Sequence, residues 1–307
     1  MPVVPPTALP AFLRRLAASL PSSAPPPTSA LVPLLAATTL GHGHAWLAPC
    51  VSHALSAHPP LARGAAPPRE PADPADDAVA HPRRLVVAQL KEALVKSAVL
   101  IGVPRAIETL LELEGALDDA RDASRAFVRR GLDADDGEDG TTGARGTVRE
   151  RAESGRAGLR SVYRNELDAI FATMRARGLE DLRYLSETTT YGTFLTPHAA
   201  ARPPSSSPPS PSPSPSPSSR DPLSSDRRLL SVVTLACLIP QRTAREIHWH
   251  LRGAVRLGWA RDEVEQLQRA VEDVCRACGV DRVGEGMPRV ADVEAQQGEE
   301  ERAAAGR

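Results

Sequence analysis

Aromatic side chains are scarce in this chain: three Trp, three Tyr and four Phe, 3% of 307 residues. Proteins that bind single-stranded nucleic acid stack bases on such rings, so that role is not expected. An excess charge of one sign is also lacking. Lys and Arg number 37 against 38 Asp and Glu, a formal net charge of −1. A polyanion-binding surface would leave a basic footprint, so no nucleic-acid partner is expected. Cysteines are few, at Cys50, Cys237, Cys275 and Cys278. Four in a chain this long do not make a disulfide scaffold, and a reducing compartment is the default. No apolar run reaches the roughly 18–20 residues of a membrane span, so no membrane partner is expected. Phosphate-loop, dinucleotide-binding and Gly-x-Ser-x-Gly nucleophile patterns are missing as well.

Acidic residues are absent from the first 69 positions, which do contain Arg14, Arg15 and several serines. This composition fits either a mitochondrial presequence or a Pro/Ala-rich leader before a cytoplasmic domain. The leader is placed at residues 1–28. The C-terminal Ala-Ala-Gly-Arg is not a peroxisomal address.

What is present is mainly Ala, Leu, Val and Arg, which favours helices. The 30 prolines cluster before residue 82 and between 203 and 222. Helical spacing of apolar residues predicts helices over 7–20, 29–40, 44–57, 83–101 and 104–117. It predicts others over 158–178, 226–239, 242–257 and 261–278. Gly102 is suited to end one helix and Pro104 to begin the next. Low-complexity inserts are expected at about 59–82, 132–150 and 202–225, the last a Pro-Ser linker. The acidic, Gly-rich stretch from Asp133 fails the calcium-loop pattern, with Glu138 at the sixth place and Ala144 at the twelfth. A polar tail covers 293–307.

An internal repeat organises this pattern. Val87, Gln89, Leu90, Ala93, Gly102, Val103 and Arg105 match Val264, Gln266, Leu267, Ala270, Gly279, Val280 and Arg282. The offset is constant, since 266 − 89 = 177 and 279 − 102 = 177. Repeat one would span about 29–117 and repeat two about 226–290, inside one domain at 29–292.

The stretch His250-Leu-Arg-Gly-Ala-Val-x-x-Gly258, then Asp262-Glu263-Val264-x-Gln266-Leu267, resembles the carboxymuconolactone decarboxylase/AhpD-like family. Ala93-Leu94 followed by Ile101-Gly-Val-Pro-Arg-Ala-Ile107 is similar to the end of the same signature. The long inserts resemble its fungal branch. The resemblance covers about half the chain. It implies an all-α, AhpD-like duplicated fold, a homo-oligomer, and no cofactor or metal.

Two chemistries follow. Thr243, Glu246 and His250 fall on one face of the helix 242–257, with His248 and Arg252 on another. A carboxylate four residues from an imidazole can orient it as a general base. The expected site is therefore His250 as acid/base, Glu246 as its orienting partner and Arg252 as an anion clamp. It would act as a lyase or isomerase on a small carboxylated substrate. The AhpD branch instead uses Cys-x-x-Cys-x-x-x-His. Anchored on His250, its cysteine positions hold Thr243 and Glu246, and its upstream Glu falls near Ser231. Cys275-Arg-Ala-Cys278 offers an alternative antioxidant, peroxiredoxin-type activity. Against this, the repeat aligns Cys275 and Cys278 with Ala98 and Ile101, which reads as core. A non-catalytic oligomeric scaffold is a further alternative. His248 and His250 point about 200° apart on a helix, so they are not a metal pair.

Overall fold

A computed structural model describes residues 4–59, 82–117, 122, 148–196 and 221–293. Among them the protein is all-α, with no strand. The helices are α1 (Leu9–Ser19), α2 (Thr28–Thr39), α3 (Gly43–Leu55), α4 (Pro82–Ile101), α5 (Val103–Glu112), α6 (Val148–Tyr163) and α7 (Glu166–Ala176). They continue as α8 (Glu180–Tyr184), which runs directly into a π-helical segment (Leu185–Leu195), then α9 (Arg228–Leu238), α10 (Ala244–Arg256) and α11 (Arg261–Ala277).

Helices α2 and α9 pack on each other at the centre. Both are apolar almost all round. Leu31, Leu34 and Leu35 of α2 and Val232, Val233 and Leu235 of α9 are fully buried. Each such side chain contributes about 1.5–3 kcal/mol of transfer free energy. The surrounding contacts come in matching sets: α2 packs on α3 and α11, while α9 packs on α10 and α4. Of the seven pairs aligned at offset 177, three are buried in both places, whereas Gln89 is buried and Gln266 only half-buried. Val87 and Val264, Leu90 and Leu267, and Ala93 and Ala270 are all buried. Gly102 and Gly279 each follow a helix end with φ of 91° and 85°. That left-handed region is open to Gly and costly for side chains, which is why the sequence places Gly there.

The segment expected as a leader is part of this core. Leu9, Leu13, Leu16 and Leu20 are buried, and Phe12 meets Trp46 edge-on at 5.5 Å. The core therefore begins well before residue 29. The expected helix over 158–178 is two helices, broken at Arg164, which has a φ of 48°. It also starts earlier, since α6 takes in residues 148–150 assigned to an insert. Most of the three inserts and the tail after 293 lie outside the described residues. From the last insert, Asp221 and Leu223 are buried.

A second, smaller apolar cluster holds Leu159, Val162, Tyr163, Leu167, Phe171, Tyr191 and Leu195, from α6, α7 and the π-helical segment. Close backbone approach fixes this subdomain. A Cβ on Gly155 would run into the Glu187 carbonyl oxygen, and one on Gly158 into the Thr196 hydroxyl. Glu187 is also held by Arg156 at 2.7 Å and Arg183 at 3.2 Å. Its far edge is tied to α4 by a buried ionic cluster. Lys96 sits 3.2 Å from Glu92 and 2.8 Å from Asp221, and it donates to the Phe194 carbonyl.

Gly155→Ala is expected to destabilise the fold by about 3 kcal/mol through overpacking. Thermal unfolding should show this as a lowered Tm, with the loss reported first by Tyr163 and Trp249.

Candidate functional site

The wheel drawn for α10 places Glu246 and His250 on one side, and the structure gives that side a cavity. Its volume is about 320 Å³. Val99 and Leu100 of α4, Leu159 and Tyr163 of α6, and Ile170, Phe171 and Met174 of α7 form most of its walls. Thr190 and Tyr191 enter from the π-helical segment, and Thr243, Glu246, Trp249 and His250 from α10 and its N-terminal approach. No Lys or Arg is among the described lining residues.

Tyr163 is the hub. Its ring stands edge-on to Trp249 at 5.2 Å, to His250 at 6.2 Å and to Tyr191 at 6.5 Å. Its hydroxyl donates to Glu246 Oε2 at 3.3 Å. The carboxylate thus engages Tyr163; among the described residues no hydrogen bond or ion pair joins Glu246 to His250. The expected orienting contact is replaced by one from the Tyr163 phenol. Tyr191 is buried, and its hydroxyl has no hydrogen-bond partner. It lies close to Tyr163: that neighbour pulls the Tyr191 hydroxyl down against the larger effect of burial, while Tyr191 pushes Tyr163 further up.

Burial moves these groups in opposite senses. The cost of desolvating an imidazolium lowers His250 to about 4, so it is neutral near pH 7. Desolvation raises the Glu246 carboxyl above its ordinary range, with the Tyr163 hydrogen bond and Arg245 pulling the other way. Both tyrosines are pushed up, chiefly by burial. A neutral imidazole and a carboxyl of raised pKa in one cavity form an acid–base pair in its general sense.

Arg252 does not join them. Two residues beyond His250 it emerges on the opposite side of α10. There it is buried, with Nη1 2.9 Å from Glu166 and Nη2 donating to His248 Nε2 at 2.9 Å. The anion clamp is therefore absent from the His250 cavity. Tyr163 was read from sequence only as an apolar helix position. The sequence signals were the scarcity of tyrosine and the Tyr191-Gly-Thr-Phe-Leu195 segment; Tyr163, Tyr191 and Leu195 all line this cavity.

Cys275 and Cys278 are buried and free, and so are Cys50 and Cys237. Burial pushes the Cys275 and Cys278 thiols up to about 12. A protonated thiol is a poor nucleophile, so the pair lacks the thiolate that redox chemistry needs. His44, from the Gly-His-Gly-His turn, contacts Glu112 at the surface. Among the described residues no group of three or more His, Cys, Asp or Glu is placed to hold a metal ion. No described helix is long and apolar enough to cross a membrane.

No protein-family model, curated protein or solved structure matches the chain.

The His250 shift sets a pH dependence. Its folded pKa of about 4 lies below its ordinary 6.5. Between these values the unfolded chain takes up a proton that the folded chain refuses, so stability rises with pH. The contribution is complete above about 6.5 and is lost as pH falls towards 4, for a total of about 3 kcal/mol. In His250→Gln, urea unfolding from pH 7 to pH 4 should show that much less acid destabilisation than in the native protein.

Proposed function

We propose that the protein is an acid–base enzyme, a carboxymuconolactone decarboxylase-like lyase or isomerase, acting on a small molecule bound beside His250. The observation that carries this reading is the buried Tyr191 hydroxyl, which lacks a protein partner and lines the same cavity as His250 and Glu246. A buried, unsatisfied hydroxyl costs about 1–3 kcal/mol, a cost that a ligand oxygen would remove. Neutral His250 takes a proton from a substrate carbon next to a carbonyl. The Tyr191 hydroxyl donates to the oxygen on which negative charge develops.

The lining favours an uncharged, largely apolar substrate such as an unsaturated lactone. A carboxylate would enter a cavity that offers it no cation, since Arg252 lies on the far side of α10. The peroxiredoxin-type alternative through Cys275 and Cys278 gains no support from two buried thiols of raised pKa.

The test is isomerisation of an unsaturated γ-lactone such as α-angelica lactone in D2O, followed by proton NMR. Native protein should accelerate proton exchange above the buffer rate. His250→Ala and Tyr191→Phe should each reduce it about 100-fold. Tyr191→Phe is expected to leave Tm unchanged or raised, because the hydroxyl it removes is unsatisfied. Exchange that is unaffected by His250→Ala would sink the proposal.

One observation favours assembly as a second reading. Val103, Ile107 and Leu111 lie at four-residue spacing on α5 and are 61%, 45% and 77% exposed. An apolar stripe of this kind suits contact with a second copy of the chain. Light scattering after size exclusion should show an oligomer that dissociates in the double substitution Ile107→Asp, Leu111→Asp.

A further inference from the structure

Arginines gather on the face of α10 turned away from His250. Arg252 and Arg256 of α10, Arg261 at the start of α11 and Arg164 between α6 and α7 line a second cavity of about 340 Å³. Val290 and Val293 complete one apolar side. We propose that this cavity binds the phosphate group of a small phosphate monoester, at a site distinct from the His250 cavity.

Three observations converge. The four guanidinium groups come from three separate segments, so helical periodicity alone did not place them together. Arg252 is an almost fully buried charged side chain, held by Glu166 and His248, so its orientation is fixed before any ligand arrives. Arg164 holds a φ of 48°. That is a position at a helix end where Gly would be less strained, yet the chain carries a long cationic side chain there. Arg256 is positioned by donating to the Val162 carbonyl, in the turn before Arg164.

The geometry of the ligand follows from the donors. A guanidinium presents a planar fork that pairs two oxygens at once. A planar carboxylate is saturated by one or two such forks. A tetrahedral phosphate offers three terminal oxygens in different directions, which suits forks arriving from three segments. Arg252, Arg256 and Arg261 make further polar contacts of their own, so the anion exchanges partners on entry. The valine side gives room for the organic part of the ester.

The test is calorimetric titration of the full-length protein with phenyl phosphate and inorganic phosphate. Sodium chloride and citrate at equal ionic strength are the controls. Saturable binding of phenyl phosphate is expected, at least threefold tighter than inorganic phosphate. The double substitution Arg256→Gln, Arg261→Gln should weaken it at least tenfold, with circular dichroism confirming the fold. Should that protein fail to fold, Arg164→Gly serves, because it relieves the left-handed strain while removing one fork. It should unfold no more easily than the native protein and bind phosphate at least threefold more weakly. Heats no larger than those of sodium chloride would overturn the proposal. So would citrate binding as tight as phenyl phosphate, or undiminished affinity in Arg164→Gly.

Discussion

Helices α2 and α9 are apolar on every side, and water must be kept from all those sides at once. A single partner cannot do this. Each central helix is therefore wrapped by several others: α1, α3, α4, α5, α9 and α11 around α2, and α2, α4, α10 and α11 around α9. That requirement explains why α1 belongs to the core. Without it, Trp46 on the outer side of α3 would lose its cover. It also explains why α10 is buried on one flank and free to carry polar groups on the others.

The His250 cavity depends on a second constraint, the buried lysine of α4. Lys96 is in contact with Glu92, Asp221 and the Phe194 carbonyl. Removing one member of such a buried cluster leaves charge without compensation, at a cost of about 3–5 kcal/mol. The cluster ties together the end of the π-helical segment, the body of α4 and the chain leading into α9. Tyr191 and Leu195 belong to the segment that packs on α6, and Tyr191 meets the Tyr163 ring at the cavity wall. π-helical stretches are rare and often occur at functional sites, because the extra residue per turn redirects side chains. Here the segment contributes the buried Tyr191 to the cavity wall.

Much of the architecture was legible in the sequence because it rests on local rules. Apolar periodicity marked α2, α3, α4, α9, α10 and α11 within a residue or two. Gly102 and Gly279 marked helix ends through their freedom at positive φ. Thr243, Glu246 and His250 were placed on one face of α10 by spacing alone, and they do share one cavity. The same wheel put Arg252 on another face, where it lies beside Arg164, Arg256 and Arg261. The π-helical form left no readable signal, because its spacing follows neither 3.6 nor 2 residues, although Tyr191-Gly-Thr-Phe-Leu195 stands out in the sequence by its aromatics. Gly155, Gly158 and Gly192 sit inside helical stretches, where glycine reads as a weak position. Gly155 and Gly192 allow a close backbone approach between α6 and the π-helical segment, and Gly158 makes room for the Thr196 and Tyr191 side chains.

The sequence by itself determined that the protein is helical, which faces are apolar, and that His250 lies one turn from Glu246. Those properties follow from the backbone period and from the side chains' own preference for water or oil. Only the tertiary structure decided that Tyr163 occupies Glu246, that Tyr191 has a hydroxyl to offer, and that burial keeps His250 neutral. It also decided that four arginines meet on the opposite face. Desolvation and partner choice depend on which distant segments close over a residue, and no local pattern in the chain records that.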